Sequence, residues 1–599
     1  MISELGRIAS SLLVVGSLLG AAACSQPSPT PDEGAAERAT KTSKTSERVD
    51  VHVLSFNDFH GHLKTPGGKL TVDGETIDAG GAAHLAHAIS GARETYEHTA
   101  VVVAGDLIGA SPFVSANAHD EPTIDVFNSI GLDAVAVGNH EFDEGWKELR
   151  RISDGGCHPE EGCPGPETYQ GANFPFLAAN VLGPDGETLF DPYIVKEFDG
   201  EKVAFLGLAL DGVPSLVMPS GIEGLTFRGE VETIDEYVPK LQKKGIESIV
   251  VVVHEGGYPK EKRKRLDGCP GLEGPIVEIA EEASDAVDAY LTGHTHQIYN
   301  CRIDGKVVTS AKSYGRLLTR LHLAIDPTSG DVVEAKATHI PVRSDSPGDR
   351  AIASLVEKHA ERAADKAEEP VGRIAESLSR SPAESGESEL GRVIADSQLA
   401  ATTAEGTGNA DVAFMNPGGI REPLTYEPAD EEDEEDVPDD DEDEEEEDDD
   451  AEMEDQPGAV TYGDLHRVQP FGNQLIVMTL TGKQIHRLLE QQWRGQGHPR
   501  VLQVSANSSY TWHPNRKPGN RVDPADVTIN GKPLKMKETY RVTVNNYLAE
   551  GGDNFSVLKK GKDLHYGELD VEVLADYFEE NSPVEPGTDT RIRRKGAGQ

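Results

Sequence analysis

Basic residues are in short supply. Lys and Arg total 56 against 105 Asp and Glu, a formal net charge of −49. That balance excludes binding of long DNA or RNA by a broad positive face. Cysteine is scarce too. Five in 599 residues rule out a disulfide-dense scaffold and iron–sulfur chemistry on any scale. Aromatics reach 6% and all hydrophobic residues 37%, lean values that suit folded domains joined to long polar segments. Uncharged apolar length is also limited at the N-terminus: residues 8–23 are short for a membrane span and suit a signal-peptide core. The chain itself is too long for one core, so two or more domains are expected.

The apolar stretch ends in Ala21-Ala22-Ala23-Cys24. This resembles a bacterial lipoprotein cleavage site, which implies a signal peptide over 1–24 and lipidation of Cys24. Ser25 after the cysteine resembles outer-membrane sorting. The expectation is an exported protein, an outer-membrane lipoprotein facing the periplasm or the cell surface, touching membrane through its lipid anchor only. An ordinary secretory signal cut near Ala23, giving a periplasmic or secreted protein, is the alternative. Residues 25–49 are rich in Pro, Ser, Thr and Ala and read as a flexible tether. Residues 430–455 hold 22 acidic residues and no basic one. Such a run cannot bury enough apolar surface to fold, so a disordered acidic insert is expected over 428–458.

Four cysteines remain once Cys24 is set aside. In an oxidising compartment they allow three pairings, and the pairing of sequence neighbours, Cys157 with Cys163 and Cys269 with Cys301, is expected. No Cys-x-x-Cys pair exists to favour zinc.

Chemistry gathers at the ends of short apolar runs, each a plausible buried strand. Val51 to Phe56 leads into Asn57-Asp58-Phe59-His60-Gly61. Val101 to Ala104 leads into Gly105-Asp106. Ala134 to Val137 leads into Gly138-Asn139-His140-Glu141-Phe142-Asp143. Ile249 to Val253 leads into His254-Glu255, and Tyr290 to Thr292 into Gly293-His294-Thr295-His296. Helical stretches over 84–97 and 231–244 alternate with these runs, which argues for an α/β layer fold. Ligand sites in such folds lie at strand carboxyl ends. Asp, Asn and His from five strand ends suit two divalent ions roughly 3.5–4 Å apart. His, Asp and Asn without thiolate favour Zn²⁺ or Mn²⁺. Gly61 and Gly105 suit close backbone approach beside a ligand cluster.

This motif series resembles the calcineurin-like metallophosphoesterases, and in detail their 5′-nucleotidase branch, which includes 2′,3′-cyclic nucleotide phosphodiesterases and UDP-sugar hydrolases. The resemblance implies an α/β fold: a four-layer αββα catalytic domain over 50–343, a linker helix within 344–370, and a second α/β domain over 371–590. It implies one metal on Asp58, His60 and His296 and another on Asn139, His254 and His294, with Asp106 bridging. His140 and Asp143 match the family's catalytic dyad. A hydroxide formed at the metals would attack phosphorus in line.

The second half carries Glu389-Leu390-Gly391-Arg392, Met415-Asn416-Pro417-Gly418-Gly419-Ile420-Arg421, Pro470-Phe471-Gly472-Asn473 and Asn546 to Asp553. These resemble the family's substrate-binding motifs. Arg421 then offers a planar fork for phosphate, Asn416 an amide contact, and Phe471 with Tyr547 two faces for a nucleobase. Asp553 falls where ribose hydroxyls are accepted. One departure stands out. Glu384 occupies the place of a further phosphate-binding Arg, and Arg380 or Arg392 is left to replace it. The implied partner is a nucleotide; no protein partner is inferred. A 5′-nucleotidase is expected, with cyclic phosphodiesterase or UDP-sugar hydrolase as alternatives, and a surface binding protein without turnover as the reading from another class.

Overall fold

Strands buried on both faces need apolar side chains at every position, and the sequence supplies them in short runs. In the strand Val49–Phe56, Val51 and Val53 face one core while Leu54 and Phe56 face another. The computed structural model describes residues 48–67, 69–72, 74–159, 161–163, 168–261, 265–269, 271–427 and 456–596. Cys24, the signal segment, nearly all of the tether and most of the acidic insert lie outside the described residues. Among the described residues, no helix is long and apolar enough to cross a membrane.

Two six-stranded sheets stack face to face in the first half. One runs Asp331–Pro341, Leu317–Asp326, Val49–Phe56, Thr99–Val103, Ala134–Ala136, Phe176–Leu177. The other runs Ile298–Ile303, Lys306–Ala311, Ala289–Thr292, Ser248–His254, Glu201–Ala209, Tyr193–Phe198. Central neighbours pair in parallel, such as Leu54 with Val101 and Val252 with Leu291. The inter-sheet core holds Val51, Val102, Phe205 and Val250. Helices Ala82–Thr95 and Glu121–Ile130 cover one outer face, Glu230–Gln242 and Pro275–Glu282 the other. This is the αββα order.

The connecting helix runs Arg350–Ala367, capped by the Asp349 carboxylate on the N–H groups of Ala351 and Ile352. It is not a free linker. Ile352 and Val356 are buried in the core of the first half, so the helix is docked on that half.

The second half has a five-stranded sheet in the order Gln503–Val504, Val412–Met415, Thr539–Asn545, Gln474–Thr481, Lys562–Leu569. A four-stranded sheet with Ser508–Trp512 and Val522–Ile529 joins it in one core around Trp493, Tyr510 and Phe555. The disulfides are Cys157–Cys163 and Cys269–Cys301, the expected pairing.

Candidate metal centre and nucleotide cavity

The loops after the parallel strands converge on one cluster. His296 Nε2 lies 3.2 Å from Asp58 Oδ1, and His60 Nε2 is 3.2 Å from His296 Nε2. Asp106 Oδ2 stands 3.7 Å from His60 Nε2 and 2.8 Å from His254 Nε2. His294 Nδ1 reaches Asn139 Oδ1 at 3.0 Å. The seven expected residues therefore meet. The donor atoms fall into sets able to hold a cation, among them Asp58–His60–His296 and Asp106–His254–His294.

Backbone conformation explains the convergence. Asp58, His60, Asp106, His294 and His296 all take φ between 49° and 66°. Left-handed backbone at a non-glycine residue costs roughly 1–3 kcal/mol and persists where the surroundings over-determine it. Two glycines make room. A Cβ on Gly105 (φ 81°) would lie 2.3 Å from His254 Nδ1, and one on Gly61 (φ 58°) 2.4 Å from Ser111 Oγ.

Proton placement fits divalent cations. His60 Nδ1 is 2.8 Å from the Gly109 carbonyl and His254 Nδ1 is 2.8 Å from that of Ala104. Each ring nitrogen facing a carbonyl donates, which aims Nε2 into the cluster. Burial holds His60 and His296 below the usual imidazole range and takes His294 down to about 3, so three neutral rings present lone pairs. With its Nδ1 proton on the Gly109 carbonyl, His60 Nε2 can accept from His296 Nε2; a bound cation would take the place of that proton and use both lone pairs. His254 differs. Burial opposes its charge, yet Asp106 lifts it to about 10. Its Nε2 is in ionic contact with Asp106 without an aligned hydrogen bond, so a cation must displace this proton. The Asp106 carboxyl sits well below its ordinary range: burial pushes it up, but His254 and His140 pull it further down.

His140 lies beside this cluster. Its backbone N–H donates to Asp106 Oδ1 at 2.9 Å, and its ring Nδ1 is 2.8 Å from Asp143 Oδ2. The same Asp143 oxygen accepts from the Ala110 N–H at 3.0 Å. Burial disfavours the imidazolium, but Asp143 and then Asp106 raise the His140 pKa above its ordinary value.

Glu141, next to His140, acts on the backbone of the loops. Its carboxylate accepts the N–H groups of Asp106 (3.0 Å), Gly138 (2.6 Å) and Leu107 (2.7 Å). It thereby ties two of the loops together. Burial, then Asp106, push its pKa up to about 8. Its spacing from Asn139 carried no hint of this, because two of its three partners lie 34 and 35 residues away.

Two cavities meet at the cluster. One of about 360 Å³ is lined by Asn416, Arg421, Phe471, Tyr547 and Asp553 from the second half and reaches Asn139, His140 and His294. The His140 and Phe471 rings stack at 5.7 Å, and the Arg421 guanidinium lies over Phe471 at 5.6 Å. The five expected substrate residues thus share one wall system. Tyr547 is tied across to the first half, its hydroxyl 3.2 Å from the Ser215 carbonyl. The second cavity, of about 450 Å³, is lined by Arg316, Arg380, Arg421 and Lys312 with His296 and Asp106.

The two arginines left as candidates for the further phosphate contact take different positions. Arg380 donates to the Ile420 carbonyl at 2.8 Å and lines the cavity beside Arg421. Arg392 is turned away onto the carbonyls of Asp589 and Gly587, and Glu384 pairs with Arg594. Arg316, absent from the expectations, also reaches this cavity.

Sheets, loops and paired cavities of this kind define a two-domain phosphoesterase. Residues 51–298 match the family model of the calcineurin-like phosphoesterases, and 367–560 match that of the 5′-nucleotidase C-terminal domain. The chain belongs to the 5′-nucleotidase family of metal-dependent phosphoesterases. It is 31% identical to the cell wall protein Lmo0130 of Listeria monocytogenes, over 90% of this chain and 68% of that one. It is 29% identical to the endonuclease YhcR of Bacillus subtilis over 91% of its length, but spans only 41% of that relative. In fold it resembles the 5′-nucleotidase precursor of Thermus thermophilus, with a TM-score of 0.70, 24% identity, and coverage of 91% of this chain and 99% of that one.

Proposed function

We propose that this chain removes phosphate from nucleoside 5′-phosphates at a dinuclear centre. The observation that carries the reading is the junction at His140: a nucleoside-sized cavity opens onto a His/Asp/Asn cluster, and Arg421 lines both spaces. Asp58, His60 and His296 would hold one divalent ion, Asn139, His254 and His294 the other, with Asp106 shared. When bound, two such ions supply Lewis acidity and lower the pKa of water for attack on phosphorus. Zn²⁺ and Mn²⁺ suit the donors best.

The chain's own groups do the rest. Phe471 and Tyr547 stack the base, Asn416 and Asp553 take the ribose side, and Arg421 with Arg380 binds phosphoryl oxygens. His140, held protonated by Asp143, donates to the phosphoryl oxygen or to the leaving O5′. Residues 50–343 form the catalytic domain, 344–370 the link and 371–590 the substrate domain. Two disulfides fit a protein acting outside the cytoplasm.

The test is a panel of 5′-nucleotides, 2′,3′-cyclic nucleotides and UDP-glucose, assayed after chelation and re-addition of single metals. Phosphate release from 5′-nucleotides that vanishes on chelation is expected. Preference for cyclic substrates would shift the reading to a phosphodiesterase, and binding without release would sink turnover altogether. Because a proton on His254 competes with the cation, metal should be retained at neutral pH and released progressively with acid. In a separate measurement, Arg421→Ala should raise KM for AMP about 10–100-fold by removing a charge-assisted fork. An unchanged KM would free Arg421 from the phosphate role.

A further inference from the structure

Arg500 played no part in the motifs, yet it lies in the nucleoside cavity. Its Nη1 is 2.7 Å from Asp553 Oδ1. The Asp553 side chain is 2% exposed and that of Arg500 33%, so the pair stands at the boundary between core and cavity. Its loop is anchored at the base. Gln492 accepts the Arg500 N–H at its carbonyl (2.9 Å) and the Leu502 N–H at its side chain (2.6 Å). The loop also grips the turn that bears Asp553: Gln496 Nε2 donates to the Asp553 carbonyl at 2.6 Å. At the loop tip, His498 meets Tyr258 of the first half edge-on at 5.2 Å.

Lone pairs on Asp553 can be counted. A carboxylate offers about four acceptor positions. Oδ1 takes the Tyr547 hydroxyl at 2.9 Å and Arg500, while Oδ2 takes Asn416 Nδ2 at 3.2 Å. One position on Oδ2 is left. It faces the same space as the guanidinium: a Cβ on Gly418 would stand 3.8 Å from both Asp553 Oδ2 and Arg500 Nη1. A carboxylate acceptor and a guanidinium donor therefore sit side by side, the complement of two adjacent hydroxyls.

We propose that Arg500 is a specificity-determining residue that reads the ribose together with Asp553. The ribose 3′-hydroxyl donates to Asp553 Oδ2 and the 2′-hydroxyl accepts from the Arg500 guanidinium, which sets a preference for ribonucleotides over 2′-deoxyribonucleotides. Arg500 also favours the charged form of the acceptor. Burial pushes the Asp553 carboxyl up, and Arg500 is the strongest opposing influence, ahead of Tyr547 and Asn416. A substrate lacking one hydroxyl leaves a polar group of the pair unmatched, the kind of defect that discriminates strongly. This inference rests on the nucleotide reading of the cavity.

The experiment compares AMP with 2′-deoxy-AMP in wild type, Arg500→Gln and Arg500→Lys. In Arg500→Gln, kcat/KM for AMP should fall about 10–30-fold, mostly through KM, while 2′-deoxy-AMP changes less than about threefold, as expected for loss of one charged hydrogen bond. Arg500→Lys should recover part of the preference. Equal losses on both substrates, or no change on either, would overturn the proposal. Calorimetric binding of adenosine and 2′-deoxyadenosine reads the same preference without turnover. A wild type that hydrolyses neither nucleotide, yet loses its adenosine preference in Arg500→Gln, would sink the hydrolase reading and leave the ribose reading standing.

Discussion

Asp106→Asn should abolish most turnover while the protein stays folded. The change is isosteric. The Asp106 N–H still reaches Glu141, and the side-chain oxygen can still accept from the His140 N–H. What disappears is the one negative charge that His60, His254 and His140 all face. A bridging position stripped of charge holds cations poorly and leaves phosphoryl charge less well offset. A loss of about 4 kcal/mol in barrier stabilisation corresponds to a rate lower by on the order of 10³-fold. Elemental analysis should show metal content falling with activity. A second signature follows from His254. Asp106 is what raises its imidazole to about 10 despite burial, so in Asp106→Asn that ring should titrate far lower, measurable by NMR in metal-free protein. Full activity with full metal content would remove Asp106 from the bridging role.

How much of this was legible in the sequence follows a physical rule. Groups that report on their own neighbours in the chain could be read. Parallel strands buried on both faces show as unbroken apolar runs, so the strands Thr99–Val103 and Ser248–His254 were placed within two residues. Polar residues directly after them were placed at the site. The helix Arg350–Ala367 falls within the linker that the family resemblance implied, but its docking was not legible, because the partners of Ile352 and Val356 are distant in sequence. The same limit hid Glu141, whose role depends on N–H groups of a different loop. It also hid Arg500, which is brought to Asp553 from 53 residues away by a glycine-containing loop. Choosing Arg380 over Arg392 required the helix Glu389–Thr402. Arg392 lies inside it and points to carbonyls near the C-terminus, whereas Arg380 precedes it, in the loop that reaches the cavity. Left-handed backbone at five candidate ligand positions is likewise invisible to pattern, since the enrichment of Asp and His in that conformation is too weak to announce any one residue.

Replacing His140 should separate proton donation from metal binding. The ring stands between the cluster and Phe471, with Asp143 behind it, and its donor nitrogen lies close enough to His60 and Asp106 to form a further candidate set, so metal content is the discriminating readout. His140→Ala should lower kcat about 10²–10³-fold, the range for loss of a positioned acid or charge stabiliser, with metal content close to wild type. Asp143→Asn gives the sharper test because it moves a titration rather than deleting a group. Burial disfavours the His140 imidazolium, and Asp143 is the first influence that raises its pKa. Activity that needs the protonated ring is present below that pKa and lost as pH rises through it. Neutralising Asp143 lowers the pKa, so the alkaline fall in kcat should begin at lower pH, and the deficit relative to wild type should widen from acid to alkali. If the unprotonated ring were the active form, the alkaline limb would stay in place and the acidic limb would move to lower pH, so Asp143→Asn would gain on wild type in acid instead of losing to it in alkali. A pH profile that merely scales down at every pH would assign Asp143 to holding the ring in place, through the oxygen it shares with the Ala110 N–H, rather than to charging it.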